Sequence, residues 1–152
     1  METNYNNMMI ALDGSEQADI AFKKGIEMAK RHHATLYLIH VVDSSPYRGI
    51  AMYDINFTKK MLKQADVLLN KYKKQAENDG IEDVQIIVKE GSPKSIITKS
   101  LTSELQIDIV ICGAKGVNAV ERMFMGSVSE HIVRQADCDV LVVRNKNNAV
   151  KY

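Results

Sequence analysis

Met8-Met-Ile-Ala-Leu-Asp-Gly-Ser15 is a short apolar run closed by an acid, a glycine and a serine, and it opens the unit that decides the fold. Residues 8–12 read as a strand. Ala18, Ala21, Phe22, Gly25, Ile26 and Ala29 then recur at helical spacing, and residues 35–42 return to an apolar run. A strand, a single-face helix and a second strand in direct succession form a βαβ unit, whose strands lie parallel and whose crossover is right-handed.

The same alternation continues along the chain. Further strands are expected at 84–89, 109–112 and 140–143. A second helix carries Met61, Ala65, Leu68, Leu69, Tyr72 and Ala76 on one face. A third starts at Ser92-Pro93, with Ser92 as cap and Pro93 in the first helical position, and buries Ile96, Ile97, Leu101 and Leu105. The fourth starts at Ser127. The order βαβαβαβαβ predicts an α/β fold, a Rossmann-like doubly wound parallel sheet with helices on both faces. The 152 residues show no internal repeat, low-complexity tract or domain boundary, so one domain over 1–152 is expected, with its core at about 6–145. Residues 43–57, with Pro46, Tyr47, Gly49 and Tyr53, form an unusually long connection, readable as a lid, a partner surface or a disordered stretch. The tail from 145 to 152 is polar.

Composition narrows the function. A net charge of +1 and a pI near 7.8 lack the basic excess of a nucleic-acid binder. The lysines between 59 and 74 mostly lie off the apolar stripe of their helix and read as a solvated face. Cys112 and Cys138 do not form a Cys-x-x-Cys pair, which favours two reduced, buried thiols. The first residues carry no apolar signal segment, and no apolar run has the length of a membrane span. A soluble cytoplasmic protein with no nucleic-acid or membrane partner is expected. His32 and His33 suit the end of a helix, while His40 and His131 stand alone, so the histidines predict no metal site.

Ligands of open parallel sheets bind beyond the carboxyl ends of the strands, where the strand order reverses. Two loops qualify. Asp13-Gly14-Ser15 follows the first strand, and Gly113-Ala114-Lys115-Gly116 follows the fourth, with Gly126-Ser127 after nine intervening residues. Glycines let peptide N–H groups approach an anion, and a helix N-terminus adds unpaired donors. Each residue has a plainer reading as well. Asp13 with Glu16 is a helix-start signature, Ser127-Val128-Ser129-Glu130 is a capping box, and Lys115 and Arg122 are solvated unless a phosphate draws them in. Neither Gly-x-Gly-x-x-Gly after the first strand nor a Walker Gly-x-x-x-x-Gly-Lys-[Ser/Thr] occurs. No Ser-His-Asp or Cys-His arrangement is apparent.

Ile10-Ala-Leu-Asp-Gly-Ser15, Leu38-Ile-His-Val-Val42, Gly113-x2-Gly116-x9-Gly126-Ser127 and Cys138-Asp-Val-Leu-Val-Val143 together resemble the universal stress protein (UspA-like) family. The resemblance runs from Met8 to Arg144, and the unbroken glycine signature is that of the ATP-binding branch. It implies a five-stranded sheet in the order 3-2-1-4-5, which makes the first and fourth strands neighbours. It further implies that Ala11, Leu12 and Asp13 line the adenosine, with Asp13 on the ribose, and that the backbone of Val41 reads the adenine edge. Cys112, Gly113, Lys115, Gly116, Gly126, Ser127, Val128 and Ser129 would surround the phosphates. Relatives often carry a small polar residue and an Arg or His inside the glycine loop, where this chain has Ala114 and Lys115. That departure leaves the preference among ATP, ADP and AMP open. The family also implies a homodimer paired through Val140-Leu-Val-Val143, which would otherwise be an exposed apolar edge.

The expectation is an ATP-binding, nucleotide-dependent stress-response module, with or without Mg2+, rather than an enzyme. Alternatives are an ATP hydrolase or phosphoryl or nucleotidyl transferase using the same pocket, for which Glu121 and His131 are the nearby charged groups besides Asp13. A nucleotide-free interaction protein, or a binder of another adenylate such as a cyclic dinucleotide, also remains open.

Overall fold

Met8, Met9 and Ile10 are all fully buried on the first strand. Successive strand side chains point to opposite faces, so consecutive buried residues require a sheet covered on both sides. The computed structural model, which describes residues 4–43, 49, 55–115 and 125–145, shows that arrangement. Strands β1 (Asn7–Ala11), β2 (Thr35–Val42), β3 (Val84–Glu90), β4 (Ile109–Gly113) and β5 (Asp139–Val143) are parallel, in the order β3-β2-β1-β4-β5. The order and the fold class are those expected, with strand ends differing by one residue.

Helices α1 (Glu16–His32) and α2 (Ile55–Asn78) cover one face. There Phe22, Ile26, Leu69 and Tyr72 pack against Met8, Ile10, Leu36, Leu38 and Ile111. The opposite face carries Met9, Ile39, Val110 and Cys112 beneath Ile97, Leu101 and Ile132. Those last three come from a composite helix α3 (93–104) and from α4 (Ser127–Gln135).

Two local departures concern helix starts. α1 is capped by Ser15, not Asp13: Ser15 Oγ accepts the Ala18 N–H at 3.1 Å, and Asp13 Oδ1 accepts the Ser15 N–H at 3.0 Å. α4 is preceded by Gly126 as its cap, so Ser127 occupies the first helical position and the capping box does not form. Glu130, which would have closed that box, pairs instead with Arg134 at 2.7 Å. α3 also departs from a uniform helix. It runs as an α turn (Pro93–Ser95), a π stretch (Ile96–Leu101) and a further α turn (Thr102–Glu104). Thr98 Oγ donates to the Lys94 carbonyl at 2.6 Å and Thr102 Oγ to the Thr98 carbonyl at 2.8 Å. Such side-chain bonds load carbonyls that ordinarily serve the helix alone, consistent with the widened turn.

Candidate functional site

The strand order reverses at β1. Its ladder to β2 ends at Ala11↔Ile39 and its ladder to β4 at Ile10↔Ile111, so the chain beyond each strand diverges there. Leu12-Asp13 and Gly113-Ala114 therefore leave adjacent strands at the same carboxyl end, the place where this fold class forms a crevice.

On the β1 side, Ala11 and Asp13 are half-buried, whereas the Leu12 side chain belongs to the α1/α2 core. Only the Leu12 backbone can meet a ligand. Gly14 adopts φ +82°, a left-handed conformation that turns the loop toward α1, and Leu68 of α2 packs 3.8 Å from where a side chain would project. The Val41 side chain is buried against the α3/α4 face. Its peptide groups point along the same side of β2 as those of Ile39, toward β1. His40 Nδ1 lies 2.5 Å from the Leu12 carbonyl and joins the two strand ends.

On the β4 side, the Ala114 carbonyl accepts the Gly126 N–H at 2.6 Å and the Ser129 hydroxyl at 2.7 Å. This knot draws the two halves of the glycine signature together. Ser129 Oγ also lies 3.0 Å from the Gly126 carbonyl, and no side chain caps α4. The N–H groups of Ser127, Val128 and Ser129 precede the first intrahelical bond, made by the Glu130 N–H to the Gly126 carbonyl at 3.0 Å. Ser127 is exposed, Val128 half-buried and Ser129 buried. Gly113 has a steric role. A Cβ on it would sit 2.8 Å from the Gln17 carbonyl oxygen of α1, so its lack of a side chain lets α1 lie against β4. Gln17 Oε1 is buried without a hydrogen-bond partner among the described residues, which leaves a polar atom beside this strand end.

The Cys112 thiol belongs to the α3/α4 core, and burial pushes it up to about 12, so its side chain is closed to a ligand. Burial, followed by the neighbouring Asp139 charge, also raises Cys138, and both cysteines are free. Lys115 is half-buried at the exit of the knot. Gly116, Glu121 and Arg122 lie outside the described residues, as do 44–54 apart from Gly49 and the tail from 146. Among the described residues no cluster of three metal-ligating side chains occurs, and no helix is long and apolar enough to cross a membrane.

Sequence reasoning missed His40, Gln17 and the Ala114 carbonyl. Strand alternation places His40 on the face of Leu36 and Leu38, but its partner is a carbonyl twenty-eight positions away. Nothing in the local pattern announces that contact.

Comparison with known proteins agrees with this geometry. The model of the universal stress protein family matches residues 4–144. A protein of Staphylococcus aureus (strain USA300), assigned by its name to the universal stress proteins, is 49% identical over 142 residues, covering 93% of this chain and 86% of the relative. The structure of universal stress protein UspA from Lactobacillus plantarum superposes with a TM-score of 0.82 at 25% identity, covering 94% of this chain and all of that one. A universal stress protein in complex with cAMP shares the fold with a TM-score of 0.67 at 20% identity, covering 93% of this chain and 98% of that one.

Proposed function

The chain belongs to the universal stress protein family, and from that premise we propose that it is an adenine-nucleotide-binding regulatory protein whose ligand is ATP, with or without Mg2+. The observation that carries this reading is that two loops leave the same end of the adjacent strands β1 and β4, one bearing Asp13 and the other tied to the uncapped start of α4. Asp13 serves the ribose, because a carboxylate accepts from vicinal hydroxyls. Ala11 and the Leu12 backbone flank the nucleoside, and the Val41 peptide meets the base. The N–H groups of Ser127, Val128 and Ser129 and the Lys115 ammonium serve the phosphates, with Cys112, Gly113, Gly116 and Gly126 lining the space around them. The cAMP complex supports the class of ligand only as chemistry accommodated by the same fold.

In this proposal ATP, bound between the two loops, alters a surface offered to a partner. A homodimer through the outer edge of β5, in the cytoplasm, completes it. β5 ends the sheet with Val140, Leu141, Val142 and Val143 all half-buried. The decisive experiment is to purify the protein without added nucleotide, denature it and identify what is released by mass spectrometry, then titrate ATP into the wild type and Gly126→Val. Released or titratable ATP that Gly126→Val abolishes in a folded protein supports the site. Unchanged affinity in that variant removes it.

A further inference from the structure

The β1–β2 ladder stops one step early, and a side chain stands where it stops. The Leu12 N–H donates to the Ile39 carbonyl at 2.8 Å. In a regular parallel ladder the next two bonds run from the Val41 N–H to the Leu12 carbonyl and from the Gly14 N–H to the Val41 carbonyl. Among the described residues neither forms. Gly14, at φ +82°, has turned away, and the Leu12 carbonyl accepts from His40 Nδ1 instead. A carbonyl can only accept, so Nδ1 carries the hydrogen.

We propose that His40 is a positioning residue that sets nucleobase specificity: by occupying the Leu12 carbonyl, it keeps the Val41 N–H and C=O out of the ladder and presents them together to the base. The inference rests on the adenine-nucleotide reading above. One strand residue whose N–H and C=O point the same way offers one donor and one acceptor side by side. The Watson–Crick edge of adenine offers the matching pair, N1 as acceptor and N6–H as donor. Guanine presents the reverse, with O6 accepting and N1–H donating, and meets Val41 with like groups opposed. On β2 the peptide groups of His40 and Val42 point to β3, as shown by the Gly91 N–H donating to the Val42 carbonyl at 3.0 Å. Val41 is thus the strand-end residue whose peptide faces the crevice.

The test compares wild type, His40→Val and His40→Asn, the last retaining a donor near the Nδ1 position. Amide hydrogen exchange at Val41 is measured without nucleotide, and ATP and GTP are titrated by calorimetry. In the wild type the Val41 amide exchanges faster than that of Ile39, and ATP protects it. In His40→Val the freed Leu12 carbonyl recaptures the Val41 N–H, protecting it without nucleotide. ATP affinity and the ATP-to-GTP ratio then each fall about tenfold, the scale of one well-made hydrogen bond. His40→Asn restores both. If His40→Val does not fold, His40→Phe removes the donor without leaving a cavity. A folded His40→Val with unchanged Val41 exchange, or with an unchanged ATP-to-GTP ratio, overturns the role of His40 while ATP binding stands. A wild type that binds no ATP overturns the functional reading and the specificity claim together, and the exchange data then still report whether His40 displaces the ladder bond.

Discussion

Ser129 Oγ lies 2.7 Å from the carbonyl oxygen of Ala114, so the first turn of α4 is fastened to the exit of β4 by a buried hydroxyl that donates outward instead of capping its own helix. The same carbonyl takes the Gly126 N–H, which makes Ala114 the point where two segments twelve and more positions apart converge. Removing the hydroxyl leaves that second bond in place. Ser129→Ala is therefore expected to cost only about 1 kcal/mol of stability in urea unfolding. ATP affinity in calorimetry should fall by roughly tenfold, because the donors of the first turn lose their fixed aim. Equal affinity in wild type and variant would separate the α4 turn from the phosphates.

Gly113 faces a backbone, not a yielding side-chain tip. A methyl group there meets the Gln17 carbonyl oxygen at 2.8 Å and the carbonyl carbon at 2.9 Å, so α1 must move away from β4. Gly113→Ala is expected to destabilise the protein by about 1–3 kcal/mol, read from chemical denaturation. Gly80→Ala makes a useful contrast. Its Cβ would enter open space, and its penalty comes from φ +100° alone.

How far the sequence reaches is visible in these residues. The period of Ala18, Ala21, Phe22, Gly25, Ile26 and Ala29 identified the buried face of α1 without error, because one amphipathic stripe against one sheet is a local pattern with a single solution. The adjacency of β1 and β4 is not a matter of pattern: it follows only from the family resemblance. The plainer, capping readings of Asp13 and of the Ser127 box do not hold, although the fourth helix does start at Ser127. Asp13 and Ser127 have capping chemistry, but Ser15 and Gly126 have the extended backbone conformation the cap needs, and tertiary bonds to Ala114 decide the second case. His40 is silent in the sequence for the same reason, since its partner appears only when β1 and β2 are set in register.

The thiols should be inert in the native state. With Cys112 pushed up to about 12 by burial, only on the order of one molecule in ten thousand carries its thiolate at mildly alkaline pH. Alkylation followed by peptide mapping is expected to modify Cys138 first and Cys112 slowly, with both reacting quickly in concentrated guanidinium. Rapid native labelling of Cys112 would contradict its burial.

The proposed dimer can be probed without touching the nucleotide loops. The Ala114 N–H donates to the Val143 carbonyl at 3.2 Å, so alternate residues Val143 and Leu141 bond inward to β4 while the N–H groups of Val142 and Val140 point to the open edge. Val142→Pro removes an outward donor and leaves the inward ladder its bonds. Light scattering should show a dimer for the wild type and a monomer for the variant, with ATP affinity preserved. A wild-type monomer would remove the dimer from the proposal.

Tyr72 gives a stability change whose sign is fixed by its surroundings. Its hydroxyl donates to Asp19 Oδ1 at 3.2 Å, and its ring packs on Phe22 with centroids 4.6 Å apart. Burial, then the Asp19 charge and hydrogen bond, then the Asp13 charge, hold the phenol up at about 12, against 10.0 for the free side chain. The folded state thus keeps a proton that the unfolded chain releases between pH 10 and pH 12. Stability from this group is fully present below pH 10 and is lost as pH rises through 12, because the folded state binds more protons over that window. The loss amounts to roughly 2 kcal/mol once solvent screening of the hydroxyl is taken off the full linkage value. Other groups titrate there as well, so the measurement is the difference in urea stability between wild type and Tyr72→Phe across that range. The variant starts less stable by about 1 kcal/mol at neutral pH, having lost the bond to Asp19. Its stability then declines less steeply, and the two curves converge and cross as the wild-type phenol ionises. Parallel curves would mean that the Tyr72 phenol ionises alike in both states and that the α1–α2 contact beside Asp13 is open to water.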